Sequence, residues 1–338
     1  MKYQPPIILT AGEPSGIGPE IAIKAWQELR GDSLCSFIML ADIDHLRALA
    51  GTLGWNAKLL PIREIEDYKP HFADGLPILH RPLPQRPQPG KTTSENAGWV
   101  ISLIREAAEK CLKGSASALV TNPIQKESLY TAGFSYQGHT DYLAAIAREH
   151  GHDTHEVMML VGGGLRAVPV TVHIPLKDVP THLSQDAIIN QARIVARELQ
   201  SKFGVNKPRL AVTGLNPHAG ENGSMGREEL DMIAPAIAAL RSESIQVAGP
   251  LPADSAFTPE MRATYDAILC MYHDQALIPV KALDFHGGVN VTLGLPFIRT
   301  SPDHGTALAL ASSGKAKPDS LIAAIKLAAA MVQKAASA

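Results

Sequence analysis

Short β-rich runs alternate with helical segments from the start of the chain, and no other feature narrows the fold as far. Ile7–Ala11 is an apolar run of strand length, about Pro19 to Leu29 has a helical period, and Phe37–Ala41 returns to a strand. Strands separated by helices pair in parallel, because a parallel connection needs a crossover, and helices then cover the sheet. The pattern recurs downstream. Ala118–Thr121 is predicted as a strand ending at Asn122-Pro123, and Val157–Val161 and Val168–His173 as strands joined by a glycine turn. Gln185–Lys202 reads as a long amphipathic helix, and Leu210–Thr213 as a strand followed by a loop and a helix near Glu228–Arg241. Asp266–Tyr272 and Gly288–Leu293 are further strands, and Ala-rich Ser320–Lys334 is a closing helix. Pro82, Pro84, Pro87 and Pro89 remove too many donors for a regular element, so His80 to Lys91 is a surface loop. Thr92 and Glu95 offer a capping box for a helix running to about Leu112.

At 338 residues the chain suits two α/β lobes of ordinary size. With 45% hydrophobic and 19% charged residues it is neither disordered nor fibrous. A formal net charge of −2 without a Lys/Arg block lacks the electrostatic footprint of a nucleic-acid binder, which leaves small molecules as partners. Cys35, Cys111 and Cys270 are odd in number, far apart and set in apolar stretches, as reduced core thiols are. The apolar run Ile7-Ile8-Leu9 is too short for a signal peptide, and nothing approaches about 18 uninterrupted apolar residues, so the cytoplasm is the expected location and no membrane is involved.

Three of the thirteen histidines fall at or just beyond the end of a predicted strand, in Val-Thr-Val-His173, Leu-Asn-Pro-His218 and Cys-Met-Tyr-His273. Ligands of open α/β sheets collect at the carboxyl ends of strands. Three imidazoles arriving there are able to share one metal and leave positions for substrate. Taken singly, each is more often a satisfied or exposed imidazole; the shared context sets these three apart. His218 lies in a long polar loop, Gly214-Leu-Asn-Pro-His-Ala-Gly-Glu-Asn-Gly-Ser-Met-Gly226, whose glycines permit close backbone approach. Asp274 follows His273 and is a candidate to orient an imidazole or take a proton, although neighbours in an extended chain point opposite ways.

A cationic set accompanies them: Lys281, then Asn290 in the next strand, then Arg299 at the head of Arg-Thr-Ser-Pro-Asp-His304-Gly-Thr. Lysine and arginine hold phosphate by point charge and planar fork respectively, while each alone is also an ordinary solvated surface residue. His139-Thr140-Asp141 after Gly138 begins a helix, where backbone donors and a hydroxyl cradle an anion or simply cap the helix. Two glycine motifs are weaker. Gly162-Gly-Gly164-Leu-Arg-Ala167 fits a dinucleotide fingerprint in letters but is followed by a strand, not by the helix that would receive a pyrophosphate. Gly12-Glu-Pro-Ser-Gly16-Ile-Gly18-Pro-Glu20 does join a strand to a helix, and either binds an anion or makes a tight turn.

With these residues in place, the chain closely resembles the 4-hydroxythreonine-4-phosphate dehydrogenase (PdxA) family of the pyridoxine pathway. The resemblance spans nearly the whole chain, through Gly-Glu-Pro-Ser-Gly-Ile-Gly-Pro-Glu, Thr121-Asn-Pro-Ile-Gln-Lys126, Gly138-His-Thr-Asp141, Leu176-Lys-Asp178, Asn216-Pro-His-Ala-Gly-Glu221, Gly249-Pro-Leu-Pro-Ala-Asp254, Tyr272-His-Asp-Gln275 and Asp303-His-Gly-Thr306. It implies a two-lobed α/β/α fold like that of isocitrate and isopropylmalate dehydrogenases, which binds NAD without a Rossmann fingerprint. Residues 1–135 with 298–338 would form the lobe contributing to NAD binding, and 136–297 the lobe with metal and substrate residues and a dimer interface. It implies His173, His218 and His273 as ligands of one divalent metal, Zn, Mg, Mn or Co. His139, Thr140, Lys281, Asn290 and Arg299 would contact substrate, and Asp303, His304, Gly305 and Thr306 the cofactor, NAD with NADP as an alternative. Asp254, Asp274 and Lys281 are the candidates for proton handling. The implied enzyme is a homodimer with shared sites that oxidises and decarboxylates 4-phosphohydroxy-L-threonine to 3-amino-2-oxopropyl phosphate. Its rivals are a paralogous dehydrogenase of 4-phospho-threonate or 4-phospho-erythronate, a metal-dependent hydrolase, and a non-catalytic phosphate-ligand binding module.

Overall fold

A computed structural model of the chain describes residues 5–68 and 72–337. In chain order the elements begin with β1 (Ile7–Thr10), α1 (Gly18–Leu29), β2 (Phe37–Ala41), α2 (Ile43–Thr52), β3 (Leu59–Ile62), β4 (Leu76–His80) and α3 (Ala97–Leu112). There follow β5 (Ala118–Thr121), α4 (Lys126–Thr131), α5 (His139–Glu149), β6 (Val157–Gly162), β7 (Leu165–Pro169), α6 (Val179–His182) and α7 (Gln185–Phe203). Next come β8 (Arg209–Thr213), α8 (Ala234–Ser242), β9 (Gln246–Leu251), α9 (Ala253–Ala256), α10 (Pro259–Arg262), β10 (Ala267–Cys270), α11 (His273–Leu283), β11 (Val289–Leu293), β12 (Ile298–Pro302) and α12 (Asp319–Ala335).

The chain divides into two compact units, Met1–Glu156 with Leu295–Gln333 and Val157–Gly294 with Lys334–Ala338. In the first, strands run in the order β3-β4-β2-β1-β5-β12, every pair parallel. Ile8, Leu9, Phe37, Ile38 and Leu119 are wholly buried there, as strands covered on both faces require. Chain order reverses direction beside β1, which pairs with β2 on one side and β5 on the other. Such a switch point opens a crevice at the strand carboxyl ends. The second unit is ordered β11-β6-β7-β10-β8-β9, and it is mixed: β11, β6 and β7 pair antiparallel, the rest parallel. Its core gathers Leu160, Leu165, Ile268, Cys270, Leu277 and Val280. The sequence reading ended the first lobe at residue 135; in the structure α5 belongs to the first unit, where it packs on α3.

Three local readings are corrected. The strand expected over Val168–His173 is Leu165–Pro169, entered through Gly163 and Gly164 at φ 55° and 77°. Beyond it the chain still follows β10, Val170 N–H donating to Cys270 O at 2.7 Å, but no regular ladder continues to His173. The expected Thr92–Glu95 capping box is absent: a 3-10 turn over Ser94–Asn96 precedes α3, and no side chain caps it. The Asn96 amide instead donates to Gln85 O at 3.0 Å and accepts from Gln85 N–H at 3.1 Å, tying that turn to the proline loop. The strand expected over Asp266–Tyr272 ends at Cys270, and His273 begins a helix. All three cysteines are buried and unbridged, and burial pushes their thiols up, Cys35 to about 12. Among the described residues no helix is long and apolar enough to cross a membrane.

Candidate active site

In the first unit the functional candidates gather at the carboxyl ends of β1, β5 and β12. Arg299 sits on β12, opposite Leu119 of β5, only 3% exposed, and donates to the Thr121 hydroxyl at 2.7 Å. The reading of Arg299 alone as a solvated surface residue is thereby excluded. Burial pulls its guanidinium pKa down, yet arginine keeps its charge at neutral pH. His139 opens α5 after Gly138, and its Nε2 is enclosed with no hydrogen-bond partner among the described residues. Burial, then the charges of Arg299 and Lys126, hold its pKa well below the ordinary histidine value, so the imidazole is neutral. A buried guanidinium, a lysine beginning α4 and the amino end of α5 are chemistry able to hold an anion. Thr140 follows His139 in the first turn of α5.

Asp303–Thr306 lies against the Gly12–Gly18 turn. Ile17 N–H donates to Thr306 O at 3.1 Å, and the Thr306 hydroxyl donates to Gln125 Oε1 at 3.1 Å. A Cβ on Gly16 would stand 3.0 Å from Thr306 O, so only glycine permits this approach without movement. Glu13 in the same turn is buried and accepts the Ser15 N–H at 3.0 Å, and burial raises its pKa. Its N–H donates to Pro123 O at 2.9 Å, closing the β1 turn on the β5 turn at the switch point. His304 and Gly305 are exposed beside buried Thr306.

His45, also in this unit, is held neutral by burial, its Nε2 bonded to Pro14 O at 3.1 Å. With folded pKa values below the unfolded 6.5, His45 and His139 take up protons first in the unfolded chain. Their contribution to stability is therefore complete above pH 6.5 and is lost as pH falls through that value towards the folded pKa values. Thermal midpoints measured from about pH 7 to pH 5 are expected to decline, and His45→Gln, which keeps a donor for Pro14, to flatten the decline. An equal slope in wild type and variant would remove His45 from this account.

In the second unit two of the three expected metal ligands meet. The rings of His173 and His273 lie 5.8 Å apart, and with Tyr272, Asp274, Val172, Leu176 and Val179 they line a cavity of about 260 Å³. Because His273 begins α11 and is not in a strand, it and Asp274 do not diverge: His273 Nδ1 bonds Asp274 Oδ1 at 2.7 Å. A carboxylate on Nδ1 fixes the tautomer that leaves the Nε2 lone pair for a metal. Lys281 lies eight residues further along α11, its Nζ 5.7 Å from the Phe285 ring centre. Asn290 on β11 has a buried, unpartnered Oδ1 among the described residues. Asp254, exposed at the start of α9, lies on a helix packed against the His218 segment.

His218 stands apart from that pair. It occupies a loop in which residues 218–222 all have left-handed φ, between 41° and 76°. Among the described residues no group of three His, Cys, Asp or Glu side chains is arranged to hold a metal ion. The donor chemistry of His173 and His273 fits one, with a third imidazole to be supplied. Glu229 and Gln275 were not singled out from the sequence, yet they hold this loop: Glu229 Oε1 accepts N–H of Leu215 and Asn216, both at 2.8 Å, and Gln275 Nε2 donates to Gly214 O at 2.8 Å. Gln275 stood within the motif Tyr272–Gln275, whereas nothing in the sequence marks Glu229.

The family model for "Pyridoxal phosphate biosynthetic protein PdxA" matches residues 33–328. A 4-hydroxythreonine-4-phosphate dehydrogenase of Methylorubrum populi is 50% identical over 98% of this chain and 96% of its own. One from Caulobacter vibrioides is 48% identical over 96% of both chains. The crystal structure of 4-hydroxythreonine-4-phosphate dehydrogenase from Klebsiella pneumoniae superposes with a TM-score of 0.87 at 37% identity, covering 98% of this chain and all of that one.

Proposed function

The chain belongs to the family of the pyridoxal phosphate biosynthetic protein PdxA, and from that premise we propose that it oxidises 4-phosphohydroxy-L-threonine with NAD⁺ and releases CO₂ to give 3-amino-2-oxopropyl phosphate. The observation that carries the reading is that one chain has both a buried anion site around Arg299 and an imidazole pair backed by a carboxylate. Arg299, His139 and Thr140 bind the phosphate, with Thr121 holding the guanidinium in place. Neutral His139 takes part as a hydrogen-bonding group and not as a cation. Lys281 and Asn290 are further substrate contacts.

His173, His218 and His273 would hold a divalent ion, whose Lewis acidity lowers the pKa of a bound hydroxyl and takes up charge developing on oxygen. NAD⁺, the hydride acceptor, would lie at the β1/β5 switch point against Asp303–Thr306. Asp274 orients His273 through its hydrogen bond to Nδ1, and Asp254 and Lys281 are the further candidates for proton transfer. Among the described residues His218 does not group with the other two, and in the homodimer that the family resemblance implies a second copy would bring the third imidazole. Leu176, Met225, Ile278, Leu283 and Phe285, all large, apolar and exposed near these elements, are the surface such a copy would cover.

The test follows NADH absorbance with 4-phosphohydroxy-L-threonine, and with 4-phospho-threonate and 4-phospho-erythronate as competitors, before and after chelation. Turnover preferring the amino acid and lost on chelation is expected. Preference for a sugar acid would move the enzyme to another substrate, and no NADH with any of the three would overturn the dehydrogenase reading.

A further inference from the structure

The loop carrying His218 is an unfavourable piece of backbone. Five successive residues, His218 to Asn222, have positive φ, and four of them bear side chains. Left-handed conformation is costly for a non-glycine residue, so a run of this kind persists only where surrounding contacts over-determine it. Such contacts surround this loop. Glu229, 3% exposed, lies in a single π-helical turn over Glu229–Ile233. Its Oε1 receives two backbone N–H groups at the loop entrance, and its Oε2 receives the Asn216 side-chain amide at 3.0 Å. That amide also donates to Glu228 Oε2 at 2.7 Å. The fit is close: a Cβ on Gly220 would collide with Glu229 Oε2, and one on Gly214 would lie 3.0 Å from Oε1 and 2.8 Å from Ala219 Cα.

The far side of the entrance is tied to the other histidines. Gln275, two residues after His273, is buried; its Oε1 accepts Met271 N–H and the Thr213 hydroxyl, each at 2.7 Å, and its Nε2 donates to Gly214 O. A bond to Glu229 therefore fixes Leu215 and Asn216, and a bond to Gln275 fixes Gly214 against the start of α11. We propose that Glu229 is a positioning residue for His218, clamping the loop so that its imidazole is held in one fixed place for metal. The proposal rests on the reading of His218 as a ligand; the clamp itself is a property of the metal-free chain.

The test compares Glu229→Ala, Glu229→Asp and Glu229→Gln in the full-length protein by Co²⁺ and Zn²⁺ titration calorimetry, thermal midpoint, and hydrogen exchange at the Leu215 and Asn216 amides without metal. Alanine removes every bond, and aspartate keeps the charge but falls a methylene short. Both are expected to weaken metal binding by about 10- to 100-fold, the range for lost orienting partners, and to speed exchange at those two amides. Glutamine keeps an oxygen for both N–H groups and is expected to stay within a few-fold of wild type, so charge is not what matters. Wild-type metal affinity in the aspartate variant, or losses in the glutamine variant equal to those in alanine, would overturn the proposal. Wild-type protein that takes up neither ion would instead overturn the ligand reading on which the proposal rests, even if the amide exchange pattern held.

Discussion

Replacing Arg299 by methionine is expected to lower kcat/KM for the phosphorylated substrate by roughly a thousandfold while leaving the thermal midpoint unchanged or raised. Losing a buried, charge-assisted contact to an anion costs about 2–5 kcal/mol, and each 1.4 kcal/mol is tenfold. The stability side has the opposite sign. The guanidinium is held on β12 at 3% exposure, where its burial is costly, and methionine fills similar volume without that cost. Arg299→Lys restores charge but not the planar fork, so it should recover only part of the activity. Thr121→Val, which removes the hydroxyl that receives the guanidinium at 2.7 Å, is expected to cost about tenfold, chiefly in KM, the low end for a hydrogen bond to a charged group. Steady-state kinetics beside thermal melts decide the matter. Normal kcat/KM in Arg299→Met, or a loss that follows a fall in midpoint, would show that Arg299 supports the fold and not the ligand.

The alternation of strands and helices was readable because apolar runs bounded by Gly and Pro have only one way to be buried, and β1, β2, β5, α7 and α12 lie close to where those runs place them. The three histidines were picked out by their places beyond apolar runs, although β7, β8 and β10 end at Pro169, Thr213 and Cys270, several residues before His173, His218 and His273. What stayed hidden depends on contacts distant in sequence. Arg299 was a candidate for phosphate in the sequence, but its burial shows only once β12 is set beside β5. Glu229 reads as one of several acidic residues after Gly226, and only the fold brings its carboxylate to Leu215 and Asn216. His273 and Asp274 seemed divergent because the strand was extended too far; with β10 ending at Cys270 and helical backbone beginning at His273, neighbouring side chains come within hydrogen-bond distance. The capping box at Thr92 failed similarly, Asn96 being held by the distant Gln85. Local propensity loses wherever a long-range partner offers a fully satisfied alternative.

If a second copy completes the metal site as proposed, activity lost in two single variants is expected to be restored when they are mixed. His218→Ala and His273→Ala should each lose metal binding and NADH formation outright, because removing one of three imidazoles leaves too few protein donors to hold a catalytic ion. If His218 from one copy serves the His173–His273 pair of the other, a mixed dimer of the two variants has one site lacking both imidazoles and one site fully intact. Random reassociation makes half of the dimers mixed, so unfolding and refolding the variants together is expected to restore about a quarter of wild-type activity and of metal bound per chain. The same mixture of His173→Ala with His273→Ala should stay inactive, since those rings stand 5.8 Å apart within one chain and on this reading would serve the same site. Restoration with the first pair alone would place His218 across the interface. No restoration with either pair, in protein that is shown to exchange subunits, would require all three histidines to converge within one chain, and the loop held by Glu229 would then have to move to bring His218 there.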